Sequence, residues 1–248
     1  MSNAPTKPIT LFITGTGTGV GKTVLAELLV KRLRVCGHAV CAFKPICSGG
    51  RADAEILWRA QGRTLPMDVV NPWWFRKPIA PFVAAREVGQ RVLLSAVRTH
   101  IVRHWGNSRI VVIEGAGGLL SPLGEGFSSR ELLVAMRAVP LIVAVNRLGM
   151  LNEILLTWEA LPVSERRRAQ VVVFATSNPD ESSTTNVPIL RELLPPERIH
   201  VLPHGLVSQG FRLRGPAKRT VDTLLAAIGI DHQCGSRSVE IVNSIRPK

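Results

Sequence analysis

The chain has no tyrosine, and its 18 Asp and Glu are outnumbered by 31 Lys and Arg, a formal net charge of +13. So large a deficit of acids first raises nucleic acid as a partner. The distribution argues against it. The basic residues are dispersed, and the densest groups are Glu165-Arg166-Arg167-Arg168, read as a surface turn, and Arg212, Arg214, Lys218 and Arg219. No DNA- or RNA-binding motif accompanies either, so the expectation is a solvated basic face that helps attract anionic substrates. Cysteine is scarce as well: Cys36, Cys41, Cys47 and Cys234 form no CxxC pair and no Cys/His spacing of a zinc site. Buried or loop thiols remain. No apolar run reaches the length of a bilayer span. The start, MSNAPTKP, lacks the charged head and long apolar region of a secretory signal. A cytoplasmic protein without membrane contact is the expectation.

What the chain does have is a regular alternation of two patterns. Apolar runs rich in Val and Ile occur at Leu11–Thr14, Ala39–Phe43, Ile110–Ile113, Leu141–Val145, Val171–Ala175 and His200–Leu202. Continuous runs of this kind suit strands of a parallel sheet covered on both faces. Helical periodicity lies between them, at Lys22–Cys36, Ala52–Gln61, Leu93–His104, Ser129–Ala138, Asn152–Leu161 and Thr184–Leu194. The alternation implies βαβ units and an α/β fold with a doubly wound, mostly parallel sheet flanked by helices. With 248 residues and 46% hydrophobic content, one such domain is expected over residues 9–230. It follows a short extension, 1–8, and precedes a basic, flexible tail, 231–248. The proline-rich stretches at 66–81 and 195–203 read as ordered connections.

The most specific stretch is ITLFITGTGTGVGKTVLAE, from Ile9 to Glu27. A strand runs into a glycine-rich turn, then into Gly21-Lys22-Thr23 at the head of a helix. This is the context of a phosphate-binding loop. Glycines let successive N–H groups point inward as an anion nest, and the helix adds its positive end. Gly15, Thr16, Gly17, Thr18, Gly19, Val20, Gly21, Lys22 and Thr23 are therefore expected to bind nucleotide. Lys22 would reach the β- and γ-phosphates, and Thr23 would place its hydroxyl on Mg²⁺. The fold expectation sharpens to a P-loop NTPase-like sheet. In such sheets ligands bind at the carboxyl ends of the strands. The loops at Lys44–Ser48 and Glu114–Gly118 belong there too.

The spacing Gly15-x5-Gly21-Lys22-Thr23 is one residue longer than the common motif. In the form GTxTxVGKT it resembles dethiobiotin synthetase, the ATP-dependent ligase that closes the ureido ring in biotin synthesis. Four further segments are similar to that family in order and spacing: FKPICSG at 43–49, NPWWFRKPIAPFVAA at 71–85, VIEGAGGL at 112–119 and LGMLN at 148–152. The likeness fades after about residue 160.

The resemblance implies a reaction and its residues. 7,8-Diaminopelargonate takes up CO2 to form a carbamate, ATP phosphorylates it, and the second amine closes the ring. Lys44 is implied at the carbamate and γ-phosphate beside Lys22, with Ser48 and Thr18 near the substrate. Thr23, Asp53 and Glu114 are implied at Mg²⁺, a hard ion that takes oxygen donors. Gly117 and Gly118 would allow close approach to substrate. The helix start Gly149, Met150, Leu151 and Asn152 would bind the diaminopelargonate carboxylate of a neighbouring subunit, which implies a homodimer. Asn178, after the run Val171–Ala175, is the candidate adenine reader. Each residue also has a plainer reading: Asp53 as a first-turn helix acid, Ser48 as a turn serine, Gly149–Asn152 as an ordinary helix start.

Three positions depart from the family pattern. Gly17 and Gly19 stand where acids are common, and Glu153 stands where His is common after LGMLN. Two other readings compete. One is another P-loop ATPase or amide-forming synthetase, although the loop lacks the lysine of partition ATPases and no glutaminase domain fits. The other is a non-catalytic nucleotide- or RNA-binding protein, recognisable by bound nucleic acid and no turnover.

Overall fold

All six apolar runs become strands of one parallel sheet in a computed structural model of the chain, which describes residues 7–205 and 215–231. The strands are β1 (Ile9–Gly15), β2 (Val40–Phe43), β3 (Ile110–Glu114), β4 (Val139–Val145), β5 (Gln170–Phe174) and β6 (Ile199–Leu202). Their order across the sheet is β6-β5-β4-β1-β3-β2, and every neighbouring pair is parallel. The chain moves outward from β1 to the β2 edge, returns through β3, then continues on the other side of β1. The loop after β1 therefore opens where the winding reverses, the usual ligand crevice of such sheets.

Alternation along each strand feeds two cores. Leu11 and Ile13 of β1 are fully buried on one face with Val112, Val143 and Val172. Phe12 points to the other, with Ile113, Ile142 and Val173. The first face is covered by α1 (Lys22–Val35) and α2 (Ala52–Ala60). The second takes α3 (Pro81–Glu87), α4 (Leu94–His104), α5 (Ser129–Met136), α6 (Met150–Ala160) and α7 (Asn186–Leu193). A last helix, α8 (Gly215–Ala227), returns to the first face through Val221, Leu224 and Leu225. Arg32 of α1 fixes it there by an ion pair to Asp222 at 2.7 Å. Two sheet faces both lined with apolar side chains explain why the strands read as unbroken runs.

The connection at 66–81 is more structured than its prolines suggest. It contains a turn of helix at Met67–Val70 and a short strand, Trp73–Phe75, which pairs in parallel with Ile46–Ser48. A small antiparallel hairpin joins Pro122–Gly124 to Phe127–Ser128. The basic run at 165–168 is a surface turn in its second half, where Arg167 and Arg168 are exposed. Val163–Arg166 is helical, and Glu165 is buried against Arg168. Among the described residues no helix is long and apolar enough to cross a membrane. The first six residues, Arg212, Arg214, Cys234 and the tail beyond Asp231 lie outside the described residues.

Candidate active site

The phosphate loop takes its shape from β1 and α1. Thr16 N–H donates to Val143 O at 3.0 Å, so the chain leaves the sheet still tied to β4. Gly15 must be glycine, because a Cβ there would stand 2.5 Å from Cγ2 of Val20. Gly21 caps α1 with φ +100, and no side chain hydrogen-bonds the helix start. Among the described residues nothing accepts from the backbone N–H groups of Gly17 to Gly21. A helix start and a glycine turn with free amides form an anion site without any side-chain contribution. Lys22 curls back across the loop, donating to Gly17 O at 2.6 Å. Burial and the nearby Lys44 push its pKa down to about 8, against the opposing pull of Glu114 and Asp53.

The opposite wall is made of side chains, and the sheet register brings them together. Phe43 of β2 pairs with Ile113 of β3, so the next residues, Lys44 and Glu114, emerge side by side. Lys44 Nζ lies 2.6 Å from Glu114 Oε1 and 3.3 Å from Asp53, which stands in the first turn of α2. Lys44 is 3% exposed and Glu114 1%. Burial works against the charge on Lys44, but Glu114 and Asp53 outweigh it and hold its pKa above the ordinary lysine value. Thr23 Oγ1 donates to the same Glu114 Oε1 at 2.7 Å, joining the two walls. Glu114 Oε2 is buried with no hydrogen-bond partner. A buried carboxylate oxygen left over in this way is costly unless something else binds it. A hard divalent cation suits it, with Thr23 Oγ1 and Asp53 offering further oxygens.

Between the walls is a cavity of about 630 Å³. Of the expected residues, Thr18, Gly19, Gly21, Lys22, Thr23, Lys44, Ser48, Asp53, Glu114 and Gly117 line it. Gly118 lies just behind, where a Cβ would come within 3.4 Å of Gly15 O. Gly149, Met150, Leu151, Asn152 and Asn178 do not line it. Asn178 is exposed in the loop after β5, whose last residue, Phe174, packs its ring against Gly21. Gly149 caps α6 in the left-handed region, φ +91, with Gly149 and Asn152 exposed and Met150 fully buried.

A family model described as AAA domain matches residues 9–208. The ATP-dependent dethiobiotin synthetase BioD of Anaeromyxobacter dehalogenans is 40% identical over 181 residues, covering 70% of this chain and 79% of that one. The chain belongs to the ATP-dependent dethiobiotin synthetase family. The synthetase of Bacillus subtilis is 32% identical over 192 residues, covering 73% and 81% of the two chains. Among solved structures, the MinD cell division protein of Aquifex aeolicus shares the fold, with TM-score 0.58 over 90% of this chain and 98% of that one at 16% identity.

In this synthetase several contacts lie beyond what the sequence motifs designate. Pro78, Ile79, Ala80 and Pro81 form an apolar side of the cavity, beside Cys47. Their signal is the proline-rich part of the 71–85 segment. Glu153 accepts from Thr16 Oγ1 at 3.1 Å and from Arg147 at 2.5 Å, so it tethers the start of α6 to the phosphate loop. Leu148 N–H donates to Asp180 at 2.8 Å, which ties the same turn to the loop that carries Asn178. No local pattern foretells these links, because they cross from one sheet connection to another.

Proposed function

We propose that this dethiobiotin synthetase converts 7,8-diaminopelargonate, CO2 and ATP into dethiobiotin, ADP and phosphate, using Mg²⁺ and working as a homodimer. The observation that carries the reading is Lys44. A fully buried ammonium group, held between two carboxylates and facing a phosphate loop, is suited to a charge that migrates across the cavity.

The steps follow from the chemistry. One amine adds to CO2, forming an N–C bond and losing a proton, to give a carbamate. The γ-phosphoryl group passes to a carbamate oxygen and ADP leaves. The second amine attacks the carbonyl carbon, the bond to phosphate oxygen breaks, and a proton is lost as the ring closes. Phosphoryl transfer of this type depends on positioned cations more than on covalent help. Lys22 and the amides of Gly17–Thr23 hold the phosphates from one side. Lys44 faces the carbamate and the moving phosphoryl group from the other. Ser48, Thr18, Gly117 and Gly118 contact the substrate. Thr23, Asp53 and Glu114 would hold Mg²⁺, which when bound supplies further positive charge to the phosphate oxygens. The unpartnered Glu114 Oε2 supports this placement. Asn178 reads the base.

The carboxylate of the substrate lies far from its amines. Gly149–Asn152 of a neighbouring subunit binds it through helix-start N–H groups. The exposure of Gly149 and Asn152, outside their own chain's cavity, supports this division. The test is formation of dethiobiotin by pure protein, dependent on both ATP and diaminopelargonate. Nucleic acid retained through purification, with no such turnover, would overturn the reading.

A further inference from the structure

We infer that Asn71 is the positioning residue that sets Lys44 in register with Glu114 and Asp53, and that Arg51 anchors Asn71 in turn. This rests on the reading of Lys44 as the phosphoryl-facing lysine. Asn71 opens the proline-rich segment at 71–85 and is 0% exposed. Its Nδ2 donates to Lys44 O at 2.6 Å. Its Oδ1 accepts from Arg51 Nε at 3.1 Å and from Cys47 Sγ at 3.3 Å. A guanidinium only donates, so Arg51 fixes which way the amide faces and aims the NH2 group at Lys44.

The neighbours of Asn71 complete the grip. Lys44 N–H donates to Val70 O at 3.1 Å, and Trp73 N–H donates to Pro45 O at 3.1 Å. The turn that carries Lys44 out of β2 is thus held at three successive points by Val70–Trp73. Arg51 also donates to Asp68 at 2.8 Å and to Asn71 O at 2.9 Å, and its guanidinium lies 5.2 Å from the centre of the Trp74 ring. Asn71 touches neither the phosphate loop nor Glu114. It reaches the cavity through the backbone of Lys44 and the thiol of Cys47. A lysine carries its ammonium at the end of a long stem, so a small rotation of its backbone moves Nζ away from Glu114.

Asn71→Asp isolates the contact. It keeps an oxygen that accepts from Arg51 and Cys47 and replaces the N–H donated to Lys44 with a carboxylate oxygen that the Lys44 carbonyl repels. A misplacement of about 1 Å is enough for a loss of about a hundredfold, so kcat should fall by about ten- to a hundredfold. Affinity for ADP should stay within about twofold, because the loop amides are untouched. In a Lys44→Ala background, Asn71→Asp should change kcat by less than about twofold, since residues acting through one group are not additive. A full further loss in that background, or ADP affinity falling in step with kcat, would show a general structural role and overturn the inference. If Asn71→Asp does not fold, Arg51→Lys runs the same cycle. It keeps the charge, removes the Nε donor, and should lower kcat by about three- to tenfold through the same displacement. Wild-type turnover in Lys44→Ala is a separate outcome: it removes Lys44 from the chemistry, and the inference with it.

Discussion

The loop from Gly17 to Thr23 offers a ligand main-chain amides, whereas the wall from Lys44 to Glu114 offers it buried side chains. The first is local. Its geometry follows from glycines at fixed positions, a strand before and a helix after, and among the described residues the N–H groups of Gly17 to Gly21 have no acceptor. The second is assembled from β2, β3 and α2 through the register of a sheet. The two lysines show the difference. Lys22 sits among amides, with its carboxylate neighbours too weak to offset burial, and its pKa falls to about 8. Lys44 is more deeply buried yet moves the other way, because Glu114 touches it directly. Opposite charges close to a buried group can together outweigh its desolvation.

The two lysines provide the largest test. Each replaced by Ala should lose roughly 10²–10³ in kcat, or about 3–4 kcal/mol of barrier. The comparison sharpens in the binding data: Lys22→Ala should also weaken ADP binding, while Lys44→Ala should leave it nearly unchanged. Isothermal titration with ADP on both variants, with circular dichroism to confirm folding, decides this. Equal loss of ADP affinity in both would erase the distinction.

Acid should act on the fold without acting through either wall. His200 is 4% exposed on β6, its Nε2 is 2.9 Å from Gln170 Oε1, and burial with the nearby Arg191 pushes its pKa to about 4. The unfolded chain takes up this proton near pH 6.5. Stability from the neutral ring is then complete above pH 6.5 and is lost as pH falls toward 4. Between pH 7 and pH 5 the loss should be about 2 kcal/mol. Urea melts of His200→Gln at the two pH values should differ by less than those of the parent, with turnover at pH 7 retained.

Glu114 belongs to both regions, since Thr23 and Lys44 share its Oε1. Glu114→Gln should raise the Mg²⁺ concentration for half-maximal activity by about tenfold, near 1.4 kcal/mol. A superimposable Mg²⁺ titration would take the metal away from Glu114. The smallest effect comes from mixing two inactive proteins, Lys22→Ala and a bulky substitution at Gly149. Random exchange makes half the dimers mixed, each with one intact site, so about a quarter of parental activity should return. No recovery after verified subunit exchange, or an active monomer in sedimentation, would rule out the shared site.

The regions also differ in how far they could be read from the chain alone. All six sheet strands were legible because both faces are buried, which leaves unbroken runs of Val and Ile. The phosphate loop was legible because its function is written in consecutive residues. Lys44, Asp53 and Glu114 were reachable through topology and resemblance, since strand ends converge on one edge. The grip of Asn71 on Lys44 and of Glu153 on Thr16 was not. Each joins residues from different connections, and nothing in local periodicity encodes such a meeting. The short strand at Trp73–Phe75 was hidden for a related reason, because the strand it pairs with is three residues long and prolines surround it.

A loop that recognises its ligand by main-chain amides distinguishes oxygen atoms, not the base attached to them. The main-chain amides between Gly17 and Gly21 cannot separate adenine from guanine, or a nucleotide from inorganic tripolyphosphate. Selectivity among phosphorylated donors must therefore come from residues outside those amides, and can vary while they stay constant. Buffers rich in phosphate or sulfate would compete for the same amides, whatever the nucleotide.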